Sequence, residues 1–486
     1  MTTTFLFALL PLIILALTAI VVMLAIAFWR RHRLIVALTL LGQLSALASI
    51  ASAAHILVDR ASPYATLQVT PLLFVDSFAL LYTMALLIAG IMVTLFSNSY
   101  LERHVGISEE FYLLLLLAHL GATALVFSNH FASFFLALEL MSVSLYAMIA
   151  YVRGNPLNIE AGIKYLVLSS VASAFLLFGM ALVYADLGVM SFTGIAAHAA
   201  GGTLSGSLTL VGLGLIITGI SFKLALVPFS FWIPDVYQGA PAPATAFMAS
   251  VAKGAVIAVL LRFFLPLHIQ HSPPLLVLFS ILAIASMFIG NLLALRQQHV
   301  KRLLAYSSIS NMGYLLVAFL ASGVWAATAV TFFLFAYMIT ILLAFGVVAA
   351  LSGAQRDADA LDDYRGLAWR HPWLAAIFSI ALLSLAGLPL TVGFIGKFLL
   401  LFAGAQSHLW LLVVLLVVNS AIGLFYYLRV VIALYQHPEE SSTPITVPSF
   451  SAVDTVALAA LTLVLLWLGL FPGFLIHLIQ AVVGGV

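Results

Sequence analysis

The sequence predicts an all-α polytopic membrane protein, one membrane domain over residues 1–486 with about fourteen transmembrane helices. Two observations carry this. Of the 486 residues 64% are hydrophobic and only 7% are charged, whereas a soluble domain needs about a quarter charged to coat its core. The apolar residues also come in runs of about 20, which at 1.5 Å per residue crosses a hydrocarbon layer of about 30 Å. Strands of a barrel would alternate rather than run continuously apolar. Helices are the other structure that satisfies every backbone group in lipid.

The first run, FLFALLPLIILALTAIVVMLAIAF at 5–28, is too long for a signal-peptide core and has no basic stretch before it. It reads as a retained span. RRHR closes it, and the next spans are expected at 34–57, 74–97, 111–127, 131–151 and 161–186. A run at 207–228 ends on Pro228, and 241–264 follows it. Further spans are expected at 275–294, 303–321 and 326–350, then 373–403 with AGLP inside it, 409–434 and 453–470. An even number of spans puts both termini on one side. If RRHR is cytoplasmic, that side also receives Arg103, Arg153, Arg296, Lys301, Arg302, Arg356, Arg365, Arg370 and Arg429, against Arg60 and Arg262 opposite. The positive-inside rule then places both ends outside the cytoplasm.

A net charge of +2 gives no reason to expect a nucleic-acid partner, and the absence of cysteine excludes disulfides and thiolate-held iron–sulfur clusters. No phosphate-cradling glycine loop or soluble catalytic domain is visible.

The chemistry lies in the remaining basic residues. Lys164, Lys223, Lys253 and Lys397 fall inside spans, while the arginines lie in loops or near helix ends and Lys301 reads as a loop residue. A lysine at mid-membrane costs about 2.5–3.5 kcal/mol on insertion scales. Lysine, unlike arginine, can release its proton when its surroundings are altered. Lys164 follows Glu160 by four residues, and a helical ion pair explains it as well as a proton site does. Lys253 lies too deep to snorkel. Lys223 precedes Pro228, and Lys397 follows Gly387 and Pro389, so both sit beside expected helix breaks at Pro228 and Pro389. Broken helices in membranes line cavities or are buried in protein, and their ends present partial charges to ions. Glu139 is the acidic residue near mid-span, with Lys223 its candidate partner. His119 is also deep, and a lone histidine of this kind more often serves packing.

The Lys/Pro spans are the seventh and twelfth, five apart. This suggests an inverted repeat, with helices 4–8 (111–265) matched by helices 9–13 (275–435), flanked by helices 1–3 (1–110) and a C-terminal helix (453–486).

At these residues the chain resembles the antiporter-like membrane subunits of respiratory complex I. The resemblance rests on EEFYLLLLLAHLGA, FLALELMSVSLYAMIAY, EAGIKYLVLSSVASAFLLFGMALVY, FKLALVPFSFWIPDVYQGAPAP, VKRLLAYSSISNMGYLLVA and LLSLAGLPLTVGFIGKF, in that order from about residue 5 to 470. It implies discontinuous seventh and twelfth helices and proton translocation driven by electron transfer elsewhere in a complex. The family's glutamate in helix 5 falls on Glu139, and its lysines on Lys223, Lys253 and Lys397. Glu110 and the Glu160/Lys164 pair also match. Relatives often carry histidine where this chain has Ser230 and Asn311, so a direct histidine relay is not expected there, although both can hydrogen-bond water. The resemblance further implies no cofactor in this chain, with NADH, FMN, iron–sulfur clusters and quinone held by partner subunits. The expected partners are other membrane subunits, including antiporter-like neighbours, in a bacterial cytoplasmic (inner) membrane. A multi-subunit cation/proton antiporter is the alternative reading.

Overall fold

The structure is a computed structural model that describes residues 2–58, 67–103, 108–152, 155–201, 206–353, 356–437 and 451–483. Arg60, Arg153 and the terminal residues invoked for sidedness lie outside the described residues.

The spans are α1 (Leu10–Phe28), α2 (His32–Val58), α3 (Ser77–Arg103), α4 (Glu109–Val126), α5 (Phe131–Ile149) and α6 (Pro156–Leu187). Helix α7 is split into α7a (Ser207–Leu224) and α7b (Trp232–Gly239). Then come α8 (Ala242–Leu267), α9 (Pro273–Ala294), α10 (Val300–Phe319) and α11 (Val324–Leu351). Helix α12 is split into α12a (Pro372–Ala386) and α12b (Val392–Gln406), followed by α13 (Trp410–Tyr435) and α14 (Ala452–Leu470). Among the described residues 12 helices are long and apolar enough to cross a membrane. The other two spans fall short for identifiable reasons. Helix α10 carries Lys301, Arg302 and a run of serines, and α12 is divided into halves of 15 residues each.

Local chemistry sets the boundaries. Asn155 caps α6 by accepting the Leu157 amide, with Pro156 at the first helical position, where its missing N–H costs nothing. Asp76 does the same for α3, accepting from the Ala79 amide at 2.7 Å. That start is a few residues later than the sequence implies. Phe74–Val75 (β2) instead pairs antiparallel with Leu67–Gln68 (β1), in the register Leu67 with Val75 and Gln68 with Phe74. Of the short helices, Phe192–Ala200 is an addition to the expected set, Thr2–Ala8 covers the start of the expected 5–28 span, which breaks at Leu9, and Gly473–Val483 is a second helix within the expected 453–486 segment.

Two helices form the centre. The α8 span is buried along its whole apolar window and α11 over 94% of it, whereas α1, α2 and α13 bury about a third. Helices hydrophobic all round belong in such positions. The lysine carried by α8 is therefore walled by protein on every side.

Lys301 departs from expectation. It is in the first turn of α10, not in a loop, and is 1% exposed. Its ammonium donates to Asp357 at 2.6 Å and to the Ala240 carbonyl at 2.7 Å. A helix start that looks peripheral in sequence is buried because the 356–360 segment folds back over it.

Candidate functional site: lysines at two helix breaks and a π turn

Both broken helices stop by the same device. At the end of α7a the Ala225 backbone turns left-handed (φ 59). The Leu226 amide donates to the Ser221 carbonyl at 2.8 Å, and the Ala225 amide to Phe222 at 3.0 Å. At the end of α12a, Gly387 has φ 84, the Leu388 amide donates to Leu383 at 3.0 Å and the Gly387 amide to Ser384 at 3.0 Å. These paired bonds make a Schellman motif. The helix at 207 therefore ends at Leu224, short of Pro228: the motif closes the helix first, and the proline lies in the connection. The α7 break satisfies its remaining polar groups from outside. The Val227 amide donates to Ser286 Oγ on α9 at 2.9 Å, and the Trp232 indole to the Phe222 carbonyl at 3.1 Å. This is how irregular backbone persists at membrane depth.

Lys223 lies in the last turn of α7a, 6% exposed. Its ammonium donates to Ser142 Oγ on α5 and Ser169 Oγ on α6, both at 2.6 Å. Glu139 is one turn from Ser142 on α5 and accepts from Ser173, one turn from Ser169 on α6. The four residues form two rungs between α5 and α6. Glu139 and Lys223 thus share one cluster without a direct ion pair, two of the ammonium's three donors going to serine hydroxyls. Glu139 itself is half-buried.

Lys253, 1% exposed, follows a π-helical turn at Met248–Ala252. Such a turn inserts one residue into the helical ladder and is frequent at functional sites. Its ammonium donates to Ser308 on α10, which also accepts from the Tyr337 hydroxyl of α11 at 2.7 Å.

Lys397 belongs to α12b yet reaches back to the other half-helix. It donates to the carbonyl of Ala386, the last residue of α12a, at 2.8 Å and to Ser420 Oγ on α13 at 3.0 Å. The ammonium therefore meets the negative end of α12a, where unpaired carbonyls collect. Gly387 makes room, since a Cβ there would stand 2.7 Å from Lys397 Cδ. A small cavity borders this lysine, lined among others by Asn311, Tyr337, Thr340, Ser384 and Lys397.

Among the described residues no carboxylate forms an ion pair with Lys223, Lys253 or Lys397. The other two lysines are different. Lys164 contacts Glu160 at 2.6 Å and Asp235 at 2.8 Å, and Arg302 holds the same Asp235 at 2.7 Å. That cluster ties α6, α7b and α10 together near their ends.

The remaining expected site residues fall in several places. Asn311 is buried on α10, donating to the Ser307 carbonyl at 2.8 Å and facing the Lys397 cavity. Ser230 is buried in the α7 break, where its carbonyl accepts the Ile233 amide. Glu110 sits in the first turn of α4, bonded to Arg30 and far from mid-helix. His119 is fully buried, with Nδ1 3.4 Å from Gln43 Nε2 and its ring edge against Phe247. It packs among α2, α3 and α8 and makes no hydrogen bond to a lysine. Sequence reasoning missed Ser142, Ser169, Ser173, Ser308, Tyr337 and Ser420. The serines at 142, 169, 173 and 308 carry one faint signal: each is a hydroxyl in a span that also holds, or packs against, an intramembrane charge. Among the described residues no group of three or more His, Asp or Glu side chains is arranged to hold a metal ion.

The model for the transmembrane domain of the NADH:quinone oxidoreductase/Mrp antiporter family matches residues 128–423, which include all three lysines. NADH-quinone oxidoreductase subunit N of Methylococcus capsulatus is 49% identical over 477 residues, covering 97% of this chain and 94% of that protein. A chain of respiratory complex I from Thermus thermophilus, solved with bound aureothin, superposes with a TM-score of 0.82 at 34% identity, over 97% of this chain and 99% of that one. A chain of the Mrp complex from Dietzia sp. DQ12-45-1b gives a TM-score of 0.86 over 100% and 97% of the two chains, and at 21% identity this shows a common fold alone. On the family model and the near full-length identity together, the chain belongs to the NADH-quinone oxidoreductase subunit N family, the antiporter-like membrane subunits of complex I.

Proposed function

We propose that this chain is a proton-translocating membrane subunit of an NADH–quinone oxidoreductase, moving protons through Glu139, Lys223, Lys253 and Lys397 as electrons pass from NADH to quinone in partner subunits. One observation carries it. Three lysines deep in the membrane domain are held by hydroxyls and backbone carbonyls, with carboxylates kept out of contact distance. A lysine locked to a carboxylate keeps its proton, whereas one among neutral acceptors can exchange it when a nearby charge moves. Glu139, on the half-buried edge of the Lys223 cluster, is the nearby charge. At an effective dielectric of about 20, opposite charges 4 Å apart interact by about 4 kcal/mol, so rearranging the serine rungs would change how firmly Lys223 holds its proton.

Lys253 is the central carrier. Ser308, Tyr337 and the Asn311-lined cavity lead from it toward Lys397, which delivers to the outer side. Helices α4–α8 and α9–α13 act as inverted repeats, a reading supported by the matching Schellman ends of α7a and α12a. Both termini face away from the cytoplasm, in the inner membrane. FMN, iron–sulfur clusters, NADH and quinone reside in partner subunits. Glu110, Glu160, Lys164, Ser230 and His119 are auxiliary, fixing helix ends or hydrating the path.

The test is NADH-driven proton uptake, measured together with quinone reduction, in inside-out vesicles carrying assembled complex with Lys253→Ala. Pumping and coupled electron transfer fall together if the relay is right. Normal values of both with an intact complex would make Lys253 structural and end this reading. Cation exchange that persists without NADH oxidation would point to the antiporter alternative.

A further inference from the structure

The two lysines at the helix breaks share a feature that hydrogen bonds leave unexplained. The Lys397 ammonium lies 5.2 Å from the centroid of the Tyr314 ring on α10, and the Lys223 ammonium 6.0 Å from that of Tyr165 on α6. Both tyrosines are buried, at 2% and 3% exposure. Lys253, on the unbroken α8, has a hydroxyl partner and no such ring contact among the described residues.

Each ring is fixed from behind. The Tyr314 hydroxyl accepts from Asn291 Nδ2 on α9 at 2.7 Å. That amide also reaches the Asn419 side chain on α13 at 3.2 Å, and its oxygen accepts from Tyr426 at 3.0 Å. Asn419 is the neighbour of Ser420, the residue that receives Lys397. Tyr165 is wedged differently, its ring 4.7 Å from Trp232 of α7b and 5.3 Å from Tyr146. Two unrelated supports thus hold an aromatic face under the same kind of ammonium.

An ammonium within about 6 Å of an aromatic face is attracted by the ring's quadrupole, and the effect is largest where water is excluded. A hydroxyl does not replace this, because it can turn and donate to a neutral amine's lone pair as well as accept from an ammonium. The ring discriminates between the two forms.

We propose that Tyr314 and Tyr165 are positioning residues for the proton relay, whose ring faces hold the lysines of α12b and α7a in their charged state at the helix breaks, with Asn291 fixing the Tyr314 ring. This rests on the reading of Lys397 as a proton carrier. Tyr314 is the sharper case, being nearer its lysine.

The experiment compares the rate of NADH-driven proton uptake, per assembled complex, in vesicles carrying Tyr314→Phe, Tyr314→Leu and Lys397→Met. Tyr314→Phe keeps the ring and rescues most of what Tyr314→Leu loses, a loss of roughly five- to tenfold. Should the leucine variant fail to assemble, mono-, di- and trifluorinated phenylalanine placed at position 314 weaken the quadrupole while keeping the shape, and pumping declines step by step. A flat fluorination series beside an impaired Lys397→Met variant overturns the aromatic proposal and leaves the relay standing. Unaltered pumping in Lys397→Met overturns the relay and this proposal with it.

Discussion

A lysine held by hydroxyls is in a different electrostatic position from one facing a carboxylate. Lys301 and Asp357 form a buried pair at 2.6 Å, and removing one partner of such a pair typically costs about 3–5 kcal/mol. Asp357→Asn should therefore lower the thermal stability of the assembled complex sharply, with Lys301→Met on the same chain restoring much of it, as read by a thermal shift. Lys223 has no such debt to a single partner. Replacing both Ser142 and Ser169 by alanine should leave assembly intact and cut NADH-driven pumping several-fold, because the ammonium loses two acceptors and its fixed distance from Glu139. Pumping at the unaltered rate would show the serines to be packing only. The lysines at 223, 253 and 397 stood out in sequence because charge is rare in an apolar run, and their partners did not because serine in a transmembrane helix is common and has several uses. A serine hydroxyl commonly bonds its own helix, as Ser144 does to the Leu140 carbonyl.

At the scale of the element, the two breaks differ in what stands at the left-handed position. Glycine fits there without penalty, and a residue with a Cβ bears about 1–2 kcal/mol. Ala225→Gly should thus be tolerated or mildly stabilising, whereas Gly387→Ala adds both that strain and a Cβ 2.7 Å from Lys397 Cδ. The expected result is a complex that assembles less well and pumps poorly with Gly387→Ala, checked by blue-native electrophoresis and proton uptake. Equal behaviour of both variants would remove the steric argument. The prolines disclosed that α7 and α12 are interrupted, since proline in a span has few other uses. They misplaced the α7 break by a few residues, because an alanine at the left-handed position carries no signature, while Gly387 does. The π turn before Lys253 was invisible for a related reason: MASVA has no residue that marks it.

Across the whole molecule, the spans could be counted from hydropathy, since lipid leaves the backbone few choices. Which helices are central could not. Helices α8 and α13 are both apolar, yet one is buried along its whole window and the other over only a third of it. Hydropathy does not tell lipid from protein as a neighbour. The half-buried Glu139 belongs to this scale too, since hydropathy gives no sign of how far the chain itself covers a carboxylate in a span.

The π turn at Met248–Ala252 also bears on how this chain tolerates change in length. One residue of an α-helix subtends about 100°. Because the π turn already holds one residue more than a regular turn, deleting one of its five would return the segment to a regular helix with both flanks in register, whereas a deletion in the regular turns of Ala242–Phe247 would swing the two sides by that angle. Lys253 would stay aligned with Ser308 in the first case and lose that alignment in the second. The register of the central helix therefore tolerates the loss of one residue inside the π turn and not outside it, so it is set by where the count changes and not by any single side chain.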